Sequence, residues 1–197
     1  MRGLLIVIYG INNIGKSTQA KRLVAYLQER GYKAEYLKYP IYDSPTGRKI
    51  SEVLRSGKKQ QLTEEEFQTC YYQNRKDYEP TLKKKLAAGR IIVSEDYIGT
   101  GLAWGSAKGA DYDKLKQQNS DLLKEDLAIL MDGDRFTHAM EENHIHERDE
   151  KLMAKVRQRF LAIGKESGWK LVNANQSEEQ VFQDILAIIK PHIPFLK

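Results

Sequence analysis

The chain has 197 residues and a formal net charge of +5 at pH 7, and this length suits a single domain, residues 1–197, with a sizeable core. The basic residues are spread along the chain and no apolar run approaches the roughly 18 residues of a membrane span, so neither a nucleic-acid polymer nor a membrane is expected as a partner. The lone cysteine, Cys70, cannot form an internal disulfide, which favours a cytoplasmic protein.

Short apolar runs recur along the chain and predict five β-strands. They are Leu4–Tyr9, Ala34–Tyr39, Ile91–Glu95, Leu127–Met131 and Lys170–Asn173. Longer amphipathic segments separate them, and this alternation predicts an α/β fold with a mostly parallel sheet and helices on both faces. Because ligands bind beyond the carboxyl ends of such strands, the residues that follow each strand are the candidates for function.

Three helices carry their own boundary signals. The segment from Thr18 to Arg30 is amphipathic and stops at Gly31, a residue typical of helix C-termini. Capping boxes at Thr63-x-x-Glu66 and Ser177-x-x-Gln180 predict the starts of two further helices.

The first strand leads into Gly10-Ile11-Asn12-Asn13-Ile14-Gly15-Lys16-Ser17, which fits the phosphate-binding loop G-x-x-x-x-G-K-[ST]. In that pattern backbone amides surround a polyphosphate, Lys16 reaches the β and γ oxygens, and Ser17 ligates Mg²⁺. A plain glycine turn between a strand and a helix is the alternative. The candidate ATP-binding residues of this loop are Gly10, Asn12, Asn13, Ile14, Gly15, Lys16, Ser17 and Thr18.

A second group of candidates follows the second and third strands and lies on the helix between them. They are Tyr39, Pro40, Tyr71, Arg75, Glu95, Asp96, Tyr97, Gly101 and Trp104. Together they offer aromatic planes for a base, an arginine fork and small residues for close approach, which suits a nucleoside monophosphate. Glu95 ends a buried strand, where a role near Mg²⁺ is favoured over a structural one. The alternatives are core packing for the aromatic residues and a surface ion pair of Arg75 with Asp77 or Glu79.

Six pieces, in this order along the chain, resemble the thymidylate kinase family. They are Gly15–Gln19, Tyr39-Pro40 with Gly47, Tyr71-x-x-Asn74-Arg75, the block from Glu95 to Trp104, His146-Glu147-Arg148, and Val172-Asn173-Ala174. The resemblance implies a three-layer P-loop kinase fold with a small helical lid at roughly residues 134–150. It also raises a homodimer as an option.

The same resemblance implies transfer of the γ-phosphoryl group of ATP to a deoxynucleoside monophosphate, with dTMP converted to dTDP and Mg²⁺ as cofactor. Tyr71 would stack on the base, Arg75 would bond the base or its phosphate, and Gly101 and Trp104 would line the pocket. Arg148 would act in catalysis from the lid, beside Lys16 and Glu95. Asn173 and Ala174 would border the adenine.

The chain also departs from the family pattern. Many members have Asp-Arg where this chain has Asn12-Asn13, and arginine where it has Asp96; one branch has arginine at Tyr42. We therefore expect altered acceptor handling or a reduced rate. A deoxynucleoside kinase and a degenerate, non-catalytic nucleotide-binding protein are the alternatives.

Overall fold

The computed structural model describes residues 2–55, 62–135 and 149–193. These residues contain five β-strands, as the sequence predicts, and one or two α-helices follow each strand, seven in all. The strands are β1 (Leu5–Tyr9), β2 (Ala34–Lys38), β3 (Ile91–Glu95), β4 (Leu127–Asp132) and β5 (Lys170–Asn173). The helices are α1 (Lys16–Glu29), α2 (Pro45–Arg55), α3 (Glu64–Ala87), α4 (Ile98–Ala107), α5 (Tyr112–Gln118), α6 (Glu150–Ser167) and α7 (Glu178–Ile189).

The strands form one sheet in the order β2-β3-β1-β4-β5, and each of its four pairings is parallel. The register aligns Lys38 of β2 and Ile8 of β1 with Glu95 of β3. The carboxyl ends of these three strands therefore meet at one edge of the sheet. This edge brings together the residues that follow the strands: Gly10, Tyr39 and Asp96.

The core lies on both faces of the central strands. Every residue of β1 and β3 is buried, as expected for parallel strands covered by helices on each side. Helix α1 packs against the sheet and α7, whereas α4 packs against α3, α5 and α6. Among the described residues, no helix combines the length and the apolar character that a membrane crossing requires.

Local signals set several helix boundaries. The capping box at the start of α3 is complete, because the amide of Glu66 donates to Thr63 Oγ1 at 3.2 Å and the amide of Thr63 donates to Glu66 Oε2 at 2.8 Å. At α7 the Ser177 hydroxyl accepts from the amide of Gln180. Helix α1 starts at Lys16, two residues before the predicted start, so Lys16 and Ser17 belong to its first turn.

Candidate active site

The loop between β1 and α1 has the backbone of a phosphate-binding turn. Gly10, Asn13 and Gly15 have φ angles of 145°, 60° and 90°, values that glycine and asparagine adopt more readily than other residues. A Cβ atom at Gly10 would lie 2.6 Å from the carbonyl oxygen of Met131, so no side chain fits there. The loop leads directly into α1, and its amides are those of a helix N-terminus, where anions bind.

The ammonium group of Lys16 is held at this loop. It is buried and donates hydrogen bonds of 2.9 Å to the carbonyl oxygens of Gly10 and Ile11. It also lies 3.8 Å from Asp96 Oδ1. Two carbonyl oxygens and one carboxylate therefore fix the position of the cation that the sequence assigns to the phosphates.

Glu95 is the centre of a polar network beside the loop. Its Oε2 accepts from the hydroxyls of Ser17 at 2.7 Å and Tyr36 at 2.5 Å, and its Oε1 lies 3.1 Å from Lys38 Nζ. Burial raises the pKa of Glu95, but Lys16, Lys38 and the two hydroxyls outweigh burial and leave that pKa below its usual value. Glu95 is therefore a carboxylate at neutral pH.

The Ser17 and Glu95 oxygens fit the ligand chemistry of Mg²⁺. The cation prefers oxygen ligands and is commonly bound by one or two protein groups together with substrate phosphates and waters. Within the described part of the chain no group of three or more His, Cys, Asp or Glu residues could hold a metal ion. Ser17 and Glu95 would hold Mg²⁺ together with the phosphates of a bound nucleotide.

Asp96 follows Glu95 in a different environment. Its backbone has a φ of 62°, and its Oδ1 accepts from the Thr100 hydroxyl at 2.9 Å. Burial and the neighbouring Glu95 raise the pKa of Asp96, although Lys16 opposes that shift. The two adjacent carboxyl groups thus have pKa values shifted in opposite directions.

Arg75 lies on α3 at the other end of the site. It is buried, with Nη2 donating to Asn119 Oδ1 at 3.0 Å and Nη1 donating to the Tyr97 carbonyl oxygen at 3.4 Å. The alternative of a surface ion pair with Asp77 or Glu79 is therefore wrong. Burial lowers the pKa of Arg75, but a guanidinium remains charged at any physiological pH.

Aromatic side chains and a glycine surround Arg75. Tyr71 packs edge-on against Phe67, with the ring centroids 4.9 Å apart, and both Tyr71 and Trp104 are half-buried. A Cβ atom at Gly101 would lie 2.9 Å from Gln68 Oε1 and 3.1 Å from Arg75 Nη2. Glycine at position 101 therefore keeps α4 close to α3 at this end of the site.

One cavity of about 620 Å³ joins the loop to the Arg75 end. The predicted site residues that line it are Asn12, Asn13, Ile14, Gly15, Lys16, Ser17, Thr18, Tyr39, Pro40, Tyr71, Arg75, Glu95, Asp96, Tyr97, Gly101, Trp104 and Ala174. Gly10 shapes the loop from behind, and Asn173 ends β5, where its Oδ1 accepts from the amide of Asn175. Arg148 and residues 136–148 of the predicted lid lie outside the described residues.

The cavity also contains residues that the sequence interpretation missed, among them Lys38, Glu64, Gln68 and Lys108. Two features of the sequence could have identified three of these four residues. Lys38 ends a parallel strand, the position where ligands bind. Glu64 and Gln68 precede Tyr71 and Arg75 on α3 at helical spacing, so the four residues share a face. Lys108 follows α4 with no comparable signal.

A phosphate loop at one end of a cavity and an aromatic and arginine pocket at the other define a nucleotide kinase of the P-loop class. Comparison with known proteins identifies the family. The thymidylate kinase family model matches residues 8–185. The chain belongs to the thymidylate kinase family, and it is a nucleoside monophosphate kinase.

Individual relatives agree with this assignment. The human thymidylate kinase is 32% identical over 189 residues, which cover 93% of this chain and 88% of the human protein. A solved thymidylate kinase structure from Candida albicans has a TM-score of 0.78 at 25% identity and covers 97% of this chain and 92% of that one. A thymidylate kinase structure from Ehrlichia chaffeensis, 18% identical, shares the fold with a TM-score of 0.76 and covers 96% of this chain and 99% of that one.

Proposed function

We propose that the protein transfers the γ-phosphoryl group of ATP to dTMP and releases dTDP and ADP. The observation that carries this proposal is a continuous cavity lined by the phosphate loop together with Tyr71, Arg75 and Trp104. Its volume of about 620 Å³ lies in the range of small-molecule sites. Lys16 belongs to the loop end and lies 3.8 Å from Asp96, and the phosphoryl group would pass beside it.

The donor end consists of the loop and the residues that follow β5. The loop amides from Asn12 to Thr18 bind the phosphates of ATP, and Lys16 neutralises charge on the group being transferred. Ala174 lines the cavity, and we place the adenine against it, with Asn173 at the border. Mg²⁺, held by Ser17 and Glu95, would neutralise phosphate charge when bound.

The acceptor end binds the monophosphate. Tyr71 and Trp104 offer planes on which the base stacks, and Arg75 donates hydrogen bonds toward it. Tyr39 packs at 5.2 Å from Tyr97, ring centroid to ring centroid, so the wall beneath the sugar is aromatic. Asp96 lines the cavity, and in its ionised form it would repel an anionic acceptor.

In the reaction, an oxygen of the acceptor phosphate forms a bond to the γ-phosphorus as the bond from that phosphorus to the β–γ bridging oxygen breaks. The chain's own residues align the two nucleotides and exclude water. Arg148 in a closing lid, a homodimer, a cytoplasmic location and a single domain over the full length remain predictions.

The test is a panel of acceptors with purified protein and Mg²⁺-ATP. We expect dTMP to be phosphorylated faster than dCMP, dAMP, dGMP and thymidine, with dTDP identified by chromatography. Failure of every monophosphate to react above background ATP hydrolysis would refute the kinase proposal. Turnover of thymidine in preference to dTMP would support a deoxynucleoside kinase instead, and tight ATP binding without any turnover would support the non-catalytic alternative.

A further inference from the structure

Lys38 lines the cavity at the carboxyl ends of β2 and β3, beside Glu95, a position that we call the junction. It is the last residue of β2, and the register places it beside Glu95. Its Nζ lies 3.1 Å from Glu95 Oε1, and the same carboxylate accepts from Ser17 of the phosphate loop. Directly after Lys38 come Tyr39 and Pro40, which line the acceptor end.

Four described cations line the cavity: Lys16, Lys38, Arg75 and Lys108. Two of these cations are buried and held by hydrogen bonds. Lys16 is 5% exposed and donates to loop carbonyl oxygens, and Arg75 is 3% exposed and donates to Asn119. Lys108 forms an ion pair with Glu64, in which its Nζ lies 2.5 Å from Oε2, and its side chain is 16% exposed. The Lys38 side chain is 45% exposed, so of these four it has the most freedom to move toward a ligand.

The carboxyl groups at this junction favour a movement of Lys38 toward a bound phosphate. Glu95 and Asp96 present two carboxyl groups at the ends of the strands, and Lys16 is already shared between the loop and Asp96. A phosphate that reaches the junction from the acceptor end brings further negative charge close to both carboxyl groups. A lysine on a flexible four-carbon stem, anchored in β2 beside them, can supply the compensating positive charge.

We propose that Lys38 binds the phosphate of the acceptor nucleotide and thereby determines the preference for a monophosphate over a nucleoside. This proposal rests on the proposed function, because it assigns a residue to the acceptor of that reaction. Lys38 exchanges its contact with Glu95 for a contact with the phosphate, or bridges the two groups. In this assignment Arg75, Tyr71 and Trp104 bind the base, and Lys38 binds the phosphate.

The experiment compares the binding of dTMP and thymidine by calorimetry, which requires no turnover. The two ligands share the base and sugar and differ in the phosphate alone. In Lys38→Ala we expect dTMP affinity to fall about tenfold, because a charge-assisted contact is lost at a half-exposed position. Thymidine affinity should change less than about twofold, so the ratio of the two affinities falls about tenfold.

Two variants serve as controls. Lys38→Arg keeps the charge and should retain most of the preference for dTMP. Lys33→Ala removes the same charge from an exposed residue just before β2, at the opposite end of the strand, and should bind both ligands as the parent does.

Several results would overturn the proposal: an unchanged ratio in Lys38→Ala, an equal loss of affinity for both ligands, or a parent protein that binds dTMP no more tightly than thymidine. The acceptor panel tests the proposed function separately. A parent that phosphorylates dTMP, together with an unchanged ratio in Lys38→Ala, would refute the role of Lys38 alone.

Discussion

Asp96→Asn tests whether the carboxylate beside Lys16 limits the reaction. An acceptor or donor oxygen in contact with Lys16 Nζ lies at most about 7 Å from Asp96 Oδ1, given the 3.8 Å separation of Lys16 and Asp96 and a hydrogen bond of ordinary length. An ionised Asp96 and a unit negative charge on the phosphate at about 7 Å repel by about 2 kcal/mol at an effective dielectric constant of 20. After screening by salt and water, about 1.4 kcal/mol remains, which is about tenfold in rate or affinity.

Asparagine is the matched replacement at this position. It tolerates the φ of 62° better than most residues, and its amide oxygen can still accept from Thr100. Arginine would reverse the charge, but a long side chain is less favourable in the left-handed region. We expect kcat/KM for dTMP to rise about tenfold in Asp96→Asn and to rise in Asp96→Arg as well.

Stability gives an independent readout of the same charge. The pKa of Asp96 is raised in the folded protein, so ionisation of Asp96 destabilises the fold. The free energy of unfolding is therefore undiminished below the ordinary pKa of aspartate and falls as the pH rises through the raised pKa. Asparagine does not ionise, so Asp96→Asn should unfold at a higher urea concentration than the parent at pH 7 in EDTA. A fall in both kcat/KM and stability would refute the reasoning and assign Asp96 a positive role.

Three further predictions concern other residues of the fold and site. Lys16→Ala should lower kcat by about 10³ or more, because it removes the fixed charge beside the transferring group; steady-state kinetics would show it, and unchanged activity would contradict the loop assignment. Glu95→Gln should raise the Mg²⁺ concentration for half-maximal activity about tenfold, since a charged oxygen ligand is lost; a Mg²⁺ titration unchanged from the parent would exclude Glu95 as a ligand. Hydrogen bonding from Lys85, together with Arg90, lowers the pKa of Glu35 in the folded protein. The ionised Glu35 therefore stabilises the fold above the usual pKa of glutamate, and this stabilisation is lost as the pH falls through the lowered pKa. Urea unfolding of Glu35→Gln should show a loss of about 1 kcal/mol at pH 7 and none at a pH below the lowered value, whereas an equal loss at both pH values would contradict the ion-pair explanation.

The fold was predictable because its signals are local. The predicted segments Ile91–Glu95 and Lys170–Asn173 coincide with β3 and β5. β3 is buried throughout, and buried parallel strands read as continuous apolar segments, whereas in β5 only Val172 is buried. Helix α1 begins earlier than its amphipathic pattern indicates, since the left-handed Gly15 allows the helix to start at Lys16. Hydrophobic periodicity contains no information about that backbone turn.

The sequence identified candidate site residues only where they belong to a recognisable motif. The loop pattern identifies Lys16 and Ser17, but it does not show that Asp96, eighty residues later, lies 3.8 Å from Lys16. Burial of Arg75 depends on Asn119, which is remote in sequence and carries no motif. The Arg75–Asn119 contact arises from the packing of α3 against α5, and the Lys16–Asp96 contact arises from the pairing of β1 with β3. A single sequence specifies neither.

The most direct test of the account follows the phosphorus atom itself. Parent protein is mixed with dTMP, Mg²⁺ and ATP labelled at the γ-phosphate, and the products are separated after a single turnover. We predict that the label appears in the β-phosphate of dTDP and that Lys16→Ala forms none of this product over the same time. Label found in inorganic phosphate alone, with dTMP recovered unchanged, would contradict the account.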